Sequence, residues 1–321
     1  METATFEVAP GITAIDTYMS GRERYTAAYL LAAAEPTLIE TGPSTSVGPV
    51  TESLASVGVE PDQLANIVLT HIHLDHAGGV GRLSARFPRA TIWVHERGAP
   101  HLVDPTKLVA SAIRVYGEGQ MRELFGPVDP VPADRLRSVA EGDRIALGTR
   151  SLDVLYTPGH ASHHICLADS ETGAVFTGDA MGIHLPDLPV LRPATPPPDF
   201  DIELAIDSIE RVRARARSIL LLAHFGPVED IDRICDLAEL RIRGWGEIVR
   251  GALRTTDDLD EIVEILGRET NQELATGGHA PLELERFETL SSVRTNAMGL
   301  IRYWKKRAER EAEEVAPSQP S

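Results

Sequence analysis

The chain predicts a layered α/β fold extended by helices towards its C-terminal end. Three observations lead there. Short apolar, β-branched segments alternate with helical spacing over residues 37–95, metal-ligand side chains recur at the ends of such segments, and the pattern turns wholly helical from Glu229. The opening part reads as short strands and turns. Thr37-Leu38-Ile39-Glu40 is a strand stopped by Thr41-Gly42-Pro43-Ser44, and helical spacing follows from Gly48 to Val57. Ala65 to Thr70 is a buried strand that runs into a histidine cluster. Gly78 to Phe87 is helical, and Ala90 to His95 returns as a strand.

Residues 97–135 break this rhythm as a helical insertion, with helical spacing from Val103 to Leu124 and a stop at Gly126-Pro127. Such an element can form a wall or a lid. Strands resume at Ser151 to Tyr156 and Ile165 to Ala168, the latter pairing with Ala174 to Thr177 through the Glu171-Thr172-Gly173 turn. A proline-rich connection runs from Pro186 to Pro198. Asp199 then stands where an N-cap belongs, ahead of Ile202, Ala205, Ile206, Ile209 and Val212 at helical spacing. Ser218 to Ala223 is the next buried strand. Beyond it, Ile231, Ile234 and Leu237 open one helix, Leu259 to Leu266 form another, and Leu284 to Trp304 mark a long last one. The expected division is a catalytic domain over 1–228 and a helical extension over 229–321.

Composition weighs against whole classes of partner. The 321 residues are enough to bury a core without disulfide staples. Forty-eight acids stand against 31 bases, a formal net charge of −17, which opposes broad binding to nucleic acid or to anionic membranes. Only Cys166 and Cys235 occur, as suits a reducing cytoplasm, and the start METATFEVAP carries neither a basic leader nor an apolar run. Apolar stretches such as 29–34 and 219–223 are far shorter than the roughly 20 residues of a spanning helix. Few lysines among many arginines and alanines match a GC-rich bacterial genome. A cytoplasmic protein with a small-molecule partner is the expectation.

The segment Thr70-His71-Ile72-His73-Leu74-Asp75-His76-Ala77-Gly78-Gly79 carries the chemistry. Three imidazoles and a carboxylate lie within six residues, and these are the nitrogen and oxygen donors that zinc accepts. A tight turn after the strand lets His71 and His73 point one way and Asp75 and His76 another, so one loop can serve two metals. Further candidates sit at strand ends: His160 after Thr157-Pro158-Gly159, Asp179 after Thr177-Gly178, and His224 after Ala223. Strand ends are where layered α/β folds collect site residues from distant sequence.

Taken together, these residues resemble the metallo-β-lactamase-fold hydrolases. The resemblance covers residues 5–227 and implies a four-layer αββα sandwich with metals at one edge. By analogy, His71, His73 and His160 would hold a first metal and Asp75, His76 and His224 a second, with Asp179 bridging. It further implies two zinc ions and a zinc-bound hydroxide attacking a carbonyl substrate, a thioester or a lactone. Asp75 would have a second role in orienting the nucleophile. The family's usual Asp-Thr-Gly appears here as Glu40-Thr41-Gly42, a supporting position. Zinc β-lactamases with a cysteine ligand have it where Asp179 stands, so the fold's name is not the activity. The helical extension is similar to that of glyoxalase II, although no glutathione-binding residues can be matched. Other expectations compete: sulfur dioxygenases of the same fold use one iron, and ribonuclease Z-like members are phosphodiesterases, a reading the net charge disfavours.

The remaining histidines divide. His164 reads as a partner that orients a ligand, His95 and His101 as ordinary residues flanking the insertion, and His279 as surface. His184 is the candidate for substrate contact or proton donation. Cys166 reads as core, and Lys305-Lys306-Arg307 as a solvated helix end that could receive an anionic substrate. The amphipathic last helix is a candidate homodimer surface.

Overall fold

In the computed structural model, which describes residues 5–185, 190–276 and 281–315, two mixed sheets lie face to face. In the first sheet, β1 (Thr5–Ala9), β2 (Ile12–Asp16), β3 (Ala27–Leu31) and β4 (Thr37–Ile39) form an antiparallel meander. Parallel strands β5 (Asn66–Val68), β6 (Thr91–His95) and β7 (Leu136–Val139) complete it. Helices α1 (Val47–Ser56), α2 (Leu74–Ala77) and α3 (Val80–Arg86) make the first crossovers, and α4 (Ala99–Val103) and α5 (Thr106–Leu124) form the insertion before β7.

The second sheet uses β8 (Arg144–Leu147), β9 (Arg150–Tyr156), β10 (Ile165–Asp169) and β11 (Val175–Gly178). A two-stranded ribbon, β12 (Ile183–His184) with β13 (Leu191–Arg192), and helix α6 (Ile202–Arg215) lead on to β14 (Leu220–Leu222) and β15 (Gly226–Val228). Its strand order is β15-β14-β11-β10-β9-β8, with β11 and β14 parallel and every other neighbouring pair antiparallel.

Three apolar layers hold these elements together, because each sheet is covered on both faces. Between the sheets pack Tyr29, Ile39, Val68, Val154, Phe176 and Leu221. Tyr29 meets Phe176 edge-on at 5.3 Å, and its hydroxyl donates to the Leu222 carbonyl across the sandwich at 2.5 Å. Outside the first sheet, Leu54, Leu83 and Phe87 cover Ile67 and Ile92. Outside the second, Ile209 and Val212 of α6 cover Cys166, Val175 and Leu222. The order is helix, sheet, sheet, helix, as expected. One buried charge ties the layers: Arg150, 1% exposed, forks onto Asp169 at 2.7 and 2.9 Å and reaches the Gly11 and Ala32 carbonyls at 3.3 and 3.4 Å.

The C-terminal helices α7 (Ile231–Ala252), α8 (Leu259–Thr276), α9 (Pro281–Leu290) and α10 (Val293–Val315) have no separate core. Ile234, Ala238 and Ile242 of α7 share one apolar cluster with α6 and the second sheet. Val293, Ala297, Leu300 and Tyr303 of α10 are buried in the same cluster, so its amphipathic pattern is accounted for inside the chain.

Three local expectations are corrected. The long last helix is two helices: Ser292 caps α10 by accepting from the Thr295 N–H at 3.0 Å, and apolar spacing across the break had concealed it. The cap of α6 is Asp201, which accepts from Leu204 N at 3.2 Å, whereas Asp199 accepts from Ser162 Oγ at 2.5 Å. Within the insertion, the single helical stretch read from Val103 to Leu124 is replaced by two helices, α4 ending at Val103 and α5 beginning only at Thr106, whose N–H Asp104 accepts at 3.1 Å.

Candidate metal centre and cleft

The seven residues read as ligands converge at one edge of the sandwich. After β5, the chain stays pinned to both sheets, Leu69 N bonding Trp93 O at 2.9 Å and Ile165 N bonding Thr70 O at 2.8 Å. It then turns through His71 and His73 into α2, which carries Asp75 and His76. Thr41 holds this turn from the neighbouring strand end, its N–H and hydroxyl both donating to the His76 carbonyl at 2.9 and 2.7 Å. The other three ligands follow strands of the second sheet. At Gly178 (φ +48°) a Cβ would lie 2.5 Å from Thr70 Oγ1 and 2.6 Å from His164 Nε2, so Asp179 can enter the site only behind a glycine. Gly159 (φ +127°) plays the same part before His160, a Cβ there meeting Ala205 N at 2.2 Å.

The donor atoms fall into sets whose members lie within 4.8 Å of one another: His71, His73, His160 and Asp179 form one, and Asp75, His76 and His224 another. Asp179 lies between them. Its Oδ2 is 3.4 Å from His160 Nε2 and 4.0 Å from His71 Nε2, while its Oδ1 is 3.2 Å from His76 Nε2 and 3.5 Å from His224 Nε2. Asp75 Oδ2 is 3.3 Å from His224 Nε2 and 3.4 Å from His76 Nε2.

Tautomers fix what these atoms can do. His160 Nδ1–H donates to the Ala194 carbonyl at 3.0 Å and His224 Nδ1–H to the Tyr25 carbonyl at 2.8 Å. A carbonyl only accepts, so each neutral ring presents a bare Nε2 lone pair to the cluster. His160 Nε2 faces His73 Nδ1 at 2.8 Å, and His224 Nε2 faces His76 Nε2 at 3.2 Å. Among the described residues, His71 Nε2 and Asp179 Oδ1 are buried without a hydrogen-bond partner. Converging lone pairs and orphaned acceptors are what a bound cation satisfies, and the donor set suits a divalent transition metal.

Electrostatics agree. Burial, followed by neighbouring imidazoles, holds His71 and His73 well below the ordinary histidine range, keeping them neutral as ligands must be. Burial also opposes charge on His76, yet Asp179 and Asp75 outweigh it and raise its pKa. A field that protonates a buried imidazole equally favours a cation there.

Supporting residues sort themselves by their bonds. His164 Nε2 accepts the Asp179 backbone N–H at 3.1 Å while its Nδ1 faces Thr157 Oγ1 at 2.9 Å, so both nitrogens are occupied in orienting the loop. Glu40 accepts from the Thr70 hydroxyl, which also contacts His71 Nδ1 at 3.0 Å. His95 stacks on Tyr156 at 4.7 Å. His184 is placed elsewhere than expected: its backbone pairs with His224 O at 2.6 Å and Phe225 N at 3.0 Å, and it does not line the cleft. Lys305 pairs with Asp257 at 3.1 Å and Arg307 with Glu203, both away from the cleft. His279 lies outside the described residues.

Asp75, His73, His160 and Asp179 open into a cleft of about 340 Å³. Its walls come from α4 and α5, from residues 194–199 and from the α9–α10 junction. Sequence reasoning had not singled out His163, Tyr116, Arg97 or Arg114, all of which line it. His163 was visible only as a neighbour of His164; burial, then His160 and His164, push it down to about 3. The spacing of Leu108, Ala112 and Tyr116 on α5 was the one available signal for the wall. His101 lines the cleft as well.

A C-terminal chain of bonds reaches the centre. Asn296 of α10 accepts the Thr195 N–H at 2.7 Å, and the adjacent Ala194 carbonyl receives His160 Nδ1–H. Among the described residues, no helix is long and apolar enough to cross a membrane.

Comparison with known proteins agrees with this geometry. ST1585, a metallo-beta-lactamase fold-containing protein of Sulfurisphaera tokodaii, is 30% identical over 171 residues, 52% of this chain and 62% of that protein. A hydroxyacylglutathione hydrolase of Aeromonas hydrophila is 32% identical over 134 residues, 41% of this chain and 38% of its own. The acyl-coenzyme A thioesterase MBLAC2 of Gallus gallus is 34% identical over 119 residues, 36% and 40% of the two chains. In each case this chain spans less than two thirds of the relative's length. The crystal structure of ST1585 from Sulfolobus tokodaii superposes with a TM-score of 0.65 at 22% identity, covering 90% of this chain and 98% of that one. The family model of the metallo-beta-lactamase superfamily matches residues 21–224, the span that contains all seven candidate ligands, and the chain belongs to that superfamily.

Proposed function

We propose that this protein is a dinuclear zinc hydrolase that cleaves the acyl carbonyl of a small thioester or lactone. The observation that carries the reading is Asp179, whose two oxygens each face a different set of imidazoles. Bound there, a pair of zinc ions supplies Lewis acidity and lets water act as a nucleophile near neutral pH. The chain's own residues do the rest. Asp75, 19% exposed, turns one side to His76 and His224 and the other to the cleft, where it can accept a proton-bearing hydrogen bond from the attacking water and orient it. Burial, then the charges of Asp75 and Asp179, keep the Tyr116 phenol protonated, so it can donate to oxygen as charge develops. Leu74, Leu108, Ala112 and Phe125 give the acyl group an apolar wall. Support also comes from relatives named for hydrolysis of acyl-glutathione and of acyl-coenzyme A. Buried, unpaired Cys166 and Cys235 fit a reducing compartment, and the reading places the protein in the cytoplasm.

Metal quantification alongside a panel of thioesters, lactones and phosphodiesters tests this. Two zinc ions per chain with thioester or lactone hydrolysis is the expected outcome. One iron per chain with oxygen consumption, or turnover of phosphodiesters alone, overturns it.

A further inference from the structure

Helix α5 turns two stripes towards the cleft: apolar Leu108, Ala112 and Tyr116, and polar Lys107, Ser111 and Arg114 at i, i+4 and i+7. Arg97, from the turn after β6, lines the cleft with the second stripe. Lys107, Arg114 and Arg97 are exposed, and among the described residues none has a carboxylate within ion-pair distance. Arg97 instead lies 5.8 Å from the Tyr156 ring centroid. Several other cations of this acidic chain are spent on carboxylates: Arg144 and Arg215 on Asp153, Arg213 on Asp236, Lys305 on Asp257. Three unspent cations on one wall are therefore a concentration of positive charge at the mouth of the site. Of the acids lining the cleft, Asp75 and Asp179 belong to the metal centre and Asp199 accepts from Ser162.

Three permanent positive charges exceed what one carboxylate offers, and guanidinium forks match phosphate oxygens. We infer that this stripe binds the phosphate groups of a phosphorylated thiol, so that the substrate is an acyl thioester of a phosphate-bearing carrier. This rests on the thioester reading above. The acyl chain lies along Leu108, Ala112 and Tyr116, beside the metal centre. Hydrolysis breaks the bond between carbonyl carbon and sulfur, forms one from that carbon to the oxygen of water, and passes a water proton to the sulfur. The products are a free carboxylic acid and the phosphorylated thiol.

Calorimetry of the metal-loaded protein with coenzyme A, pantetheine and glutathione tests the stripe without turnover. Coenzyme A and pantetheine present the same thiol to the metals, so the ratio of their affinities reads the phosphorylated adenosine portion, and the share of it that added salt removes reads the phosphates. Coenzyme A should bind about tenfold tighter or more, as three exposed ion pairs allow, and added salt should erase the difference. The triple variant Arg97→Gln, Lys107→Gln, Arg114→Gln should bring the ratio close to one. Arg114→Gln alone, at an exposed position, should move it the same way if the triple variant misfolds. Equal affinity for the two thiols, or a ratio unchanged in the variants, overturns the inference. Tighter binding of glutathione than of coenzyme A also overturns it, by assigning the stripe to carboxylates. Failure of the thioester reading looks different: coenzyme A still binds, but no acyl thioester is hydrolysed.

Discussion

The metal centre and the walls of the cleft are built in opposite ways. Every candidate ligand stands just beyond a strand, five in the connecting loops and Asp75 and His76 on the one-turn helix α2, and backbone bonds hold these segments in place. The Tyr25 and Ala194 carbonyls fix His224 and His160, and Thr41 fixes the carbonyl of His76. The walls come from added segments, α4–α5, residues 194–199 and the α9–α10 junction, whose side chains line the cleft. Rigid strand ends set the reaction because ligand geometry tolerates little error. Segments hung on the scaffold set the substrate because their exposed faces can change without unfolding it. The boundary is not absolute, since Asn296 of the last helix supports residue 195 beside the carbonyl that orients His160.

The sharpest way to break this contrast is Asp179→Ala. It removes the carboxylate shared by both donor sets, so metal content should fall at both positions and hydrolysis by far more than the roughly 10–100-fold typical of a supporting residue. Normal metal content measured by mass spectrometry would sink the shared role.

Arg150→Ala probes the scaffold instead. It strands the buried Asp169 carboxylate, and denaturant unfolding should show a loss of about 3–5 kcal/mol at neutral pH, with metal stoichiometry unchanged. Burial raises the Asp169 pKa, but the Arg150 fork and the Thr172 bonds outweigh it and hold the carboxyl below its usual range. A depressed folded-state pKa stabilises above the unfolded value and is lost as pH falls through the folded one. The stability gap between the two proteins should therefore shrink as pH falls through the ordinary aspartate range towards the lowered pKa of the paired Asp169. A gap constant with pH would mean that the pair is not the cause.

Asn296→Ala tests the link between the regions and should have the smallest effect. Loss of the bond to Thr195 loosens residues 194–195, and metal affinity should weaken by about tenfold, the low end for a second-rank support, while the buried partners left behind lower unfolding stability by about 1–3 kcal/mol. Chelator competition measures it. An unchanged affinity would make the helical extension a wall and nothing more.

Much of the molecule was legible in its residues. His71 to His76 after an apolar strand, and His160, Asp179 and His224 at three other strand ends, announce the centre because few other contexts bring such side chains to strand termini. Local chemistry could not show which of two aspartates caps α6, because Asp199 and Asp201 are equally suited and only the Ser162 contact of Asp199 separates them. Nor could it reveal the break at Ser291-Ser292, since Phe287, Leu290 and Val293 keep helical spacing across it. His184 looked functional five residues after Asp179, yet the ribbon it joins carries it out of the cleft. Lys305 and Arg307 read as a solvated helix end that could also receive an anion, and they are paired with acids, whereas Arg97, Lys107 and Arg114 gave no local sign.

Side-chain chemistry and period, which are properties of neighbouring residues, determined the layered fold, the donor set and the presence of an insertion. Which cations stay unpaired, which tautomer each imidazole takes and which segments close the cleft depend on contacts between residues a hundred or more positions apart, as between Asn296 and Thr195 or His224 and Tyr25. Those contacts exist only once the two sheets have closed on each other and the last helices have packed against the second, so tertiary structure alone decided them.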